Sequence, residues 1–297
     1  MSKYERFKGT GVAIVTPFLD NGTVDYKSLE KVLEHIIKGG VEYVVALGTT
    51  GESVTLSKEE KKDIVSFIVE KVNKRIGVVA GIGGNNTAEI IKGFNSIPVK
   101  GVDAILSVSP YYNKPNQRGL YAHYKSLAAE APLPVILYNV PSRTAMHVTA
   151  ETTLKIAHDL PNIIGTKEAS GNLEQICSII KDKPKDFLVL SGDDNMTLPM
   201  LACGADGVIS VVANAFPKDF SEMTRQGLNG NFTKARELHY KLNDITTALF
   251  ADGSPGGIKA ALKILGLCSE NIRLPLVPVN DAIRNSLKQM ISSYLLP

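Results

Sequence analysis

The reactive chemistry of this chain gathers around one amino group. In Ile163-Ile164-Gly165-Thr166-Lys167-Glu168-Ala169-Ser170-Gly171, a lysine lies near the end of a short apolar run, between glycines. Two-residue strand periodicity sends Gly165 and Lys167 to one face and Ile164, Thr166 and Glu168 to the other. Lys167 then shares its face with a residue that leaves space. An ammonium in such a place is poorly solvated. Its pKa falls, and the neutral amine that attacks a carbonyl to make a Schiff base becomes available near pH 7. A snorkelling lysine, or one ion-paired with Glu168, is the ordinary alternative.

Other polar residues fall where apolar runs end: Gly48-Thr49-Thr50-Gly51-Glu52-Ser53, Ser109-Pro110-Tyr111-Tyr112, Tyr138-Asn139-Val140-Pro141-Ser142-Arg143 and Gly192-Asp193-Asp194. Gly48 and Gly51 bracket hydroxyls and N–H groups in a turn that suits a carboxylate or phosphate, and equally an ordinary strand-to-helix turn. Tyr138 is a site phenol at a strand end or a core tyrosine, and Tyr111-Tyr112 serve the site or simple packing. Arg143 is a bidentate carboxylate clamp or a solvated charge. Asp193-Asp194 read as the start or cap of the next helix. His35, His123, His147, His158 and His239 are scattered without a ligand spacing, so metal chemistry has little support.

The elements that must position these groups alternate. Short β-rich runs cover Val12–Val15, Tyr43–Leu47, Gly77–Ile82, Ala104–Val108, Pro134–Val140, Ile163–Lys167, Phe187–Leu190 and Gly207–Val212. Helical patterns follow them at Asp25–Lys38, Ser57–Lys74, Thr87–Phe94, Tyr121–Glu130, Thr149–Asp159, Leu173–Lys181, Met196–Cys203 and Pro217–Leu228. Ser57-Lys58-Glu59-Glu60 is a capping box, and Gly39-Gly40 stops the first helix. Eight β-then-α units predict an α/β fold, an eight-stranded parallel β/α (TIM) barrel over residues 1–230. Phe232–Phe250, Gly257–Leu265 and Asn280–Leu295 are helical with no strands between, which predicts a C-terminal helical bundle over 231–297. No G-x-G-x-x-G opens a helix after the first strand, which removes the main support for a dinucleotide-binding open sheet. In a barrel, chemistry sits where the strands end, and the polar runs above fall there.

Composition narrows the partners. With 33 basic and 30 acidic residues among 297, a net charge of +3 gives no footprint for nucleic acid or an anionic membrane, so a small molecule is expected. Cys177, Cys203 and Cys268 are odd in number and widely spaced, which suits free thiols in a reducing cytoplasm. Neither an export signal nor a membrane-spanning run is visible.

Taken together, Gly48-Thr-Thr-Gly-Glu-Ser53, Ser109-Pro-Tyr-Tyr112, Tyr138-Asn-Val-Pro-Ser-Arg-Thr144, Gly165-Thr-Lys-Glu-Ala-Ser-Gly171 and Gly207-Val-Ile-Ser-Val211 resemble the dihydrodipicolinate synthase / N-acetylneuraminate lyase family of Schiff-base-forming barrels. Arg273-Leu-Pro-Leu-Val-Pro278 extends the likeness nearly to the end of the chain. The resemblance implies that Lys167 forms an imine with pyruvate and that Tyr138, Thr50 and Tyr112 relay protons. It implies that Thr49 and Thr50 hold the pyruvate carboxylate, that the Ile209 carbonyl lies beside the pyruvate pocket, and that Arg143 holds the carboxylate of L-aspartate 4-semialdehyde. In that family the tyrosine at the position of Tyr112 reaches into a neighbouring subunit's site, so homotetramers built from tight dimers are expected. Arg143 favours the synthase branch, which serves lysine and diaminopimelate biosynthesis, over a pyruvate-dependent aldolase for sialic acid or 2-keto-3-deoxy sugar acids. No metal or redox cofactor is needed. Ser53, Val54, Lys58, Lys61, Asn85, Glu89 and Tyr111 match the family's lysine-feedback site. Lys58 and Lys61 stand where lysine-sensitive members often carry histidine or another less basic residue, and weak or absent inhibition is expected.

Overall fold

The computed structural model describes residues 4–296. Eight parallel strands pair in chain order: β1 (Gly9–Ala13), β2 (Tyr43–Ala46), β3 (Gly77–Gly81), β4 (Ala104–Val108), β5 (Val135–Asn139), β6 (Ile163–Glu168), β7 (Leu188–Ser191) and β8 (Gly207–Ser210). β8 pairs back onto β1 and closes the barrel, as the eight alternating units predict.

The connections carry α1 (Tyr26–Lys38), α2 (Lys58–Val72), α3 (Thr87–Gly93), α4 (Gln117–Glu130), α5 (Pro141–Thr144), α6 (Ala150–Asp159), α7 (Leu173–Asp182), α8 (Thr197–Ala202) and α9 (Pro217–Leu228). After them come α10 (Phe232–Phe250), α11 (Gly256–Ile264) and α12 (Asp281–Leu295). Local chemistry starts these helices. The Asp25 carboxylate accepts from the Ser28 N–H at the start of α1, and Ser57 and Glu60 exchange both bonds of the capping box at α2.

Two boundaries differ from expectation by three residues or more. β1 begins at Gly9 instead of Val12. Its glycines carry no apolar signal, yet a Cβ at Gly11 would lie 2.1 Å from the Tyr43 ring, so the glycine admits a buried aromatic from β2. Likewise α4 begins at Gln117, four residues before Tyr121. Gly119 looks like a breaker in sequence, but its N–H donates to the Asn116 side chain, 3.0 Å away, and supplies the cap bond.

Alternate residues fill the two sides of the barrel wall. Val45, Val79, Leu106, Ile136, Ile164, Leu190 and Ile209 pack in the barrel interior, while Ile105, Val135, Leu137, Ile163 and Val189 pack outward against the helices. Strand periodicity fails at one place that matters. The β5–β6 register shifts, so that Val135 pairs with Ile163 but Ile136 pairs with Gly165. This irregularity brings Ile164 into the interior cluster that also holds Tyr138, three residues before Lys167, and overturns its expected place on the opposite face. Gly165 instead makes room for the neighbouring strand, since a Cβ there would come within 2.8 Å of both the Leu188 carbonyl oxygen and its Cβ.

The last three helices lie against this scaffold. One apolar cluster runs from Val12, Val44 and Val208 of the barrel to Leu242, Ile245, Ile258, Leu287 and Ile291 of α10, α11 and α12. α11 approaches α10 closely at Gly257, where a Cβ would sit 2.1 Å from the Leu249 carbonyl oxygen.

Candidate active site

β5 and β6 present Tyr138 and Lys167 as direct cross-strand partners near their C-terminal ends. Lys167 is only 5 % exposed, and its Nζ stands 4.2 Å from the centroid of the Tyr138 ring. Burial is the main force on the amine and lowers its pKa from 10.5 to about 8. The Asp194 carboxylate opposes that shift, and the Arg143 guanidinium adds to it. At ~1.4 kcal/mol per unit, holding the amine in this state costs roughly 3 kcal/mol, about what one well-buried aliphatic side chain contributes. The barrel interior readily offsets it.

The space beside Lys167 comes from a different glycine than the one expected. A Cβ at Gly192, just beyond β7, would lie 3.0 Å from Lys167 Cε and 3.1 Å from its Cγ. Glu168 is not an ion-pair partner of this amine. Its buried carboxylate accepts from Asn139 Nδ2 at 3.0 and 3.2 Å and from Ser170 Oγ at 2.9 Å, and burial pushes its pKa up to about 7. Asn139 also exchanges bonds with the backbone of Val148, so the ends of β5 and β6 and the entry to α6 are fastened together.

Tyr138 is buried, and that burial pushes its hydroxyl up to about 12. Arg143 lowers it and Asp193 raises it. Arg143 lies in the last turn of α5, an element absent from the sequence reading, which Pro141 opens at its first position. Its side chain is exposed, yet its charge is felt by both Lys167 and Tyr138.

Asp194 corrects another expectation. It does not cap α8; its carboxylate accepts from Ser210 Oγ and from the Val211 and Val212 N–H groups at 3.0 and 3.4 Å. It therefore fixes the chain leaving β8, and burial raises its pKa to about 6. Asp193 does serve the approach to α8, where its carboxylate accepts from the Asn195 N–H and its carbonyl from Thr197 Oγ1.

The threonine turn lies beyond β2. The Gly51 N–H donates to the Gly48 carbonyl at 3.1 Å and the Glu52 N–H to the Thr49 carbonyl at 3.0 Å, two successive tight turns. Thr16 Oγ1 donates to the Gly51 carbonyl at 2.7 Å. Thr50 is buried and Thr49 exposed. Ile209 is buried in β8, paired with Gly11 of β1.

Tyr112 stands apart. It is 90 % exposed and holds a left-handed backbone, φ 69°. Among the described residues no hydrogen bond joins it to Tyr138 or Thr50, nor those two to each other.

Of the residues matched to a lysine site, Ser53 and Val54 form part of a single helical turn over Ser53–Thr55, with Val54 exposed. The Asn85 carbonyl accepts from Asn113 Nδ2 at 2.9 Å, which ties it to the loop of Tyr111 and Tyr112. Glu89 already pairs with Lys92 at 2.9 Å. The charge of Lys58 reaches Glu89 and also the partly buried Lys61. No cluster of three or more His, Cys, Asp or Glu side chains that could hold a metal ion occurs among the described residues.

A desolvated lysine and a phenol paired near the C-terminal ends of adjacent strands in a closed β/α barrel are the groups that amine-nucleophile chemistry on a carbonyl compound requires. The chain belongs to the dihydrodipicolinate synthetase family, whose family model matches residues 6–294. The 4-hydroxy-tetrahydrodipicolinate synthase of Parabacteroides distasonis is 48 % identical over 287 residues, covering 95 % of this chain and 97 % of the relative. The crystal structure of dihydrodipicolinate synthase from Aquifex aeolicus superposes with a TM-score of 0.94 at 43 % identity, covering 98 % of this chain and 99 % of that one. The chloride-inhibited dihydrodipicolinate synthase from Acinetobacter baumannii, complexed with pyruvate, gives 0.94 at 41 % identity, covering 97 % and 98 %.

Proposed function

We propose that this enzyme condenses pyruvate with L-aspartate 4-semialdehyde to 4-hydroxy-tetrahydrodipicolinate, in lysine and diaminopimelate biosynthesis. The observation that carries the reading is the buried Lys167 amine against the Tyr138 ring, with its pKa brought down to about 8. Neutral Lys167 Nζ adds to the pyruvate ketone; proton transfer to the resulting hydroxyl expels water and leaves a cationic imine. That cation acts as an electron sink, so a methyl proton is lost and an enamine forms. The enamine carbon bonds to the aldehyde of the semialdehyde, whose oxygen takes up a proton. The second substrate's own amine then attacks the imine carbon, closes the ring and releases Lys167.

Tyr138 shuttles the protons, with Thr50 and a neighbouring subunit's Tyr112 completing the relay. The Tyr112 side chain, exposed in the single chain, is free to serve that role in a homotetramer assembled from dimers. Thr49 and Thr50 hold the pyruvate carboxylate, the Ile209 carbonyl lies beside it, and Arg143 takes the carboxylate of the semialdehyde. In this reading residues 1–230 form the barrel that carries the site and 231–297 a bundle that braces it. The enzyme works in the cytoplasm. No helix among the described residues is long and apolar enough to cross a membrane.

Steady-state assays with pyruvate and a panel of aldehydes test the substrate. Turnover is expected with aspartate semialdehyde alone, and turnover with N-acetylmannosamine or a sugar aldehyde in its place overturns the assignment. Arg143→Ala is expected to raise KM for the semialdehyde by about 10- to 100-fold, the worth of one charged hydrogen bond, and to leave KM for pyruvate within about twofold.

Lysine is expected to inhibit weakly or not at all. Lys58 and Lys61 oppose a cationic effector, each by about 1 kcal/mol across exposed distances. Glu89, the carboxylate available to greet an ammonium, is engaged by Lys92. Half-inhibition at low micromolar lysine would refute this.

A further inference from the structure

A second buried lysine lies on the C-terminal side of the threonine turn, outside the chemistry described so far. Lys259 of α11 is 0 % exposed, and its ammonium pairs with the Glu52 carboxylate, itself 2 % exposed. Lys259 Nζ also donates to the Asn271 carbonyl at 2.7 Å and stands 4.3 Å from the centroid of the Phe18 ring. The other Glu52 oxygen accepts from the Arg273 N–H at 3.0 Å.

The pair acts on the residue that closes the turn. The Glu52 backbone is left-handed, φ 53°, and its N–H bonds the Thr49 carbonyl. Moving the Glu52 side chain therefore moves Thr49 and, with it, Thr50. The far side of the same loop is gripped by Arg273, which donates to the carbonyls of Thr55 and Gly22 and to the Glu60 carboxylate of the capping box.

Stability alone is a poor reason for such a pair. Removing two charges from water is costly, and apolar side chains of similar volume often do as well or better in the same space. What the pair supplies is direction: it sets where one carboxylate, and the turn attached to it, must lie.

We propose that the Glu52–Lys259 pair is a positioning device, through which the C-terminal helices hold the Thr49-Thr50 turn in the shape that receives the pyruvate carboxylate. Lys259 touches no substrate. The inference rests on the reading of Thr49 and Thr50 as the carboxylate seat.

The test is pyruvate kinetics of the full-length enzyme alongside thermal denaturation. Lys259→Met is expected to lower Tm and raise KM for pyruvate about tenfold or more, with kcat within about threefold. The double variant Glu52→Leu with Lys259→Met is expected to regain Tm while KM for pyruvate stays raised. Glu52→Gln keeps the shape but not the charge, and is expected to raise the same KM by about three- to tenfold in a folded enzyme. A parental KM for pyruvate in any folded variant of the pair overturns the proposal and leaves the pair a structural contact. Thr49→Val and Thr50→Val separate the two readings. If they leave KM for pyruvate unchanged, the carboxylate seat itself is wrong; if they raise it while the Glu52 and Lys259 variants do not, only the positioning role fails.

Discussion

Turnover by the Lys167→Arg variant is expected to fall by on the order of 10⁴-fold or more, the scale of losing a nucleophile. Arginine keeps a positive charge and much of the length but cannot be deprotonated in the physiological range, so no imine can form. The parent enzyme's advantage follows from its pKa. At pH 7 an amine of pKa about 8 is neutral about 300-fold more often than one at 10.5. Because the neutral form attacks, imine formation is expected to rise with pH, about tenfold per unit below 8, and to level off above it. Borohydride reduction in the presence of pyruvate, followed by peptide mass mapping, should place one adduct on the Lys167 peptide. An adduct elsewhere, or an arginine variant that still turns over, ends the mechanism.

Tyr138→Phe isolates the phenol from the ring. Phenylalanine preserves the apolar face 4.2 Å from Nζ, so Lys167 stays desolvated and the imine still forms. Only the hydroxyl is lost, and among the described residues no protein group hydrogen-bonds it, so the fold should tolerate the change. The expected result is a fall in kcat of about 10²- to 10⁴-fold, with the borohydride adduct still on Lys167 but formed more slowly. Single-turnover measurements distinguish this from a binding defect. A variant within about threefold of the parent would remove Tyr138 from the relay.

Much of this was legible in sequence, because its signals are local. Eight β-rich runs separated by helical patterns predict the closed barrel, and Ser57 with Glu60 marks a helix start that the structure contains. The reactive lysine stood out because it ended an apolar run. Which neighbours it shares was not legible, since strand periodicity assumes an unbroken register and the β5–β6 pairing shifts just before it. Asp194 was misjudged because a carboxylate before a helix usually caps that helix, whereas this one bonds the chain leaving β8. Glu52 and Lys259, 207 positions apart, are joined only by the fold. The cap at Asn116 carries no periodic apolar signal, and only the bond from the Gly119 N–H marks it as the start of α4.

The missing side chain at residue 192 has a practical consequence for altering what this enzyme accepts. Nothing in the backbone there demands glycine, since the residue is not among those with a positive φ. The demand comes first from Ala169, whose Cβ an added methyl carbon would approach to 2.8 Å, and then from Lys167, whose Cε and Cγ would lie at 3.0 and 3.1 Å. Anyone enlarging or reshaping the mouth for a bulkier keto acid has to treat that position as closed and seek new volume on the opposite wall. Even alanine, the mildest replacement available, would press on Ala169 and Lys167 before it touched any guest.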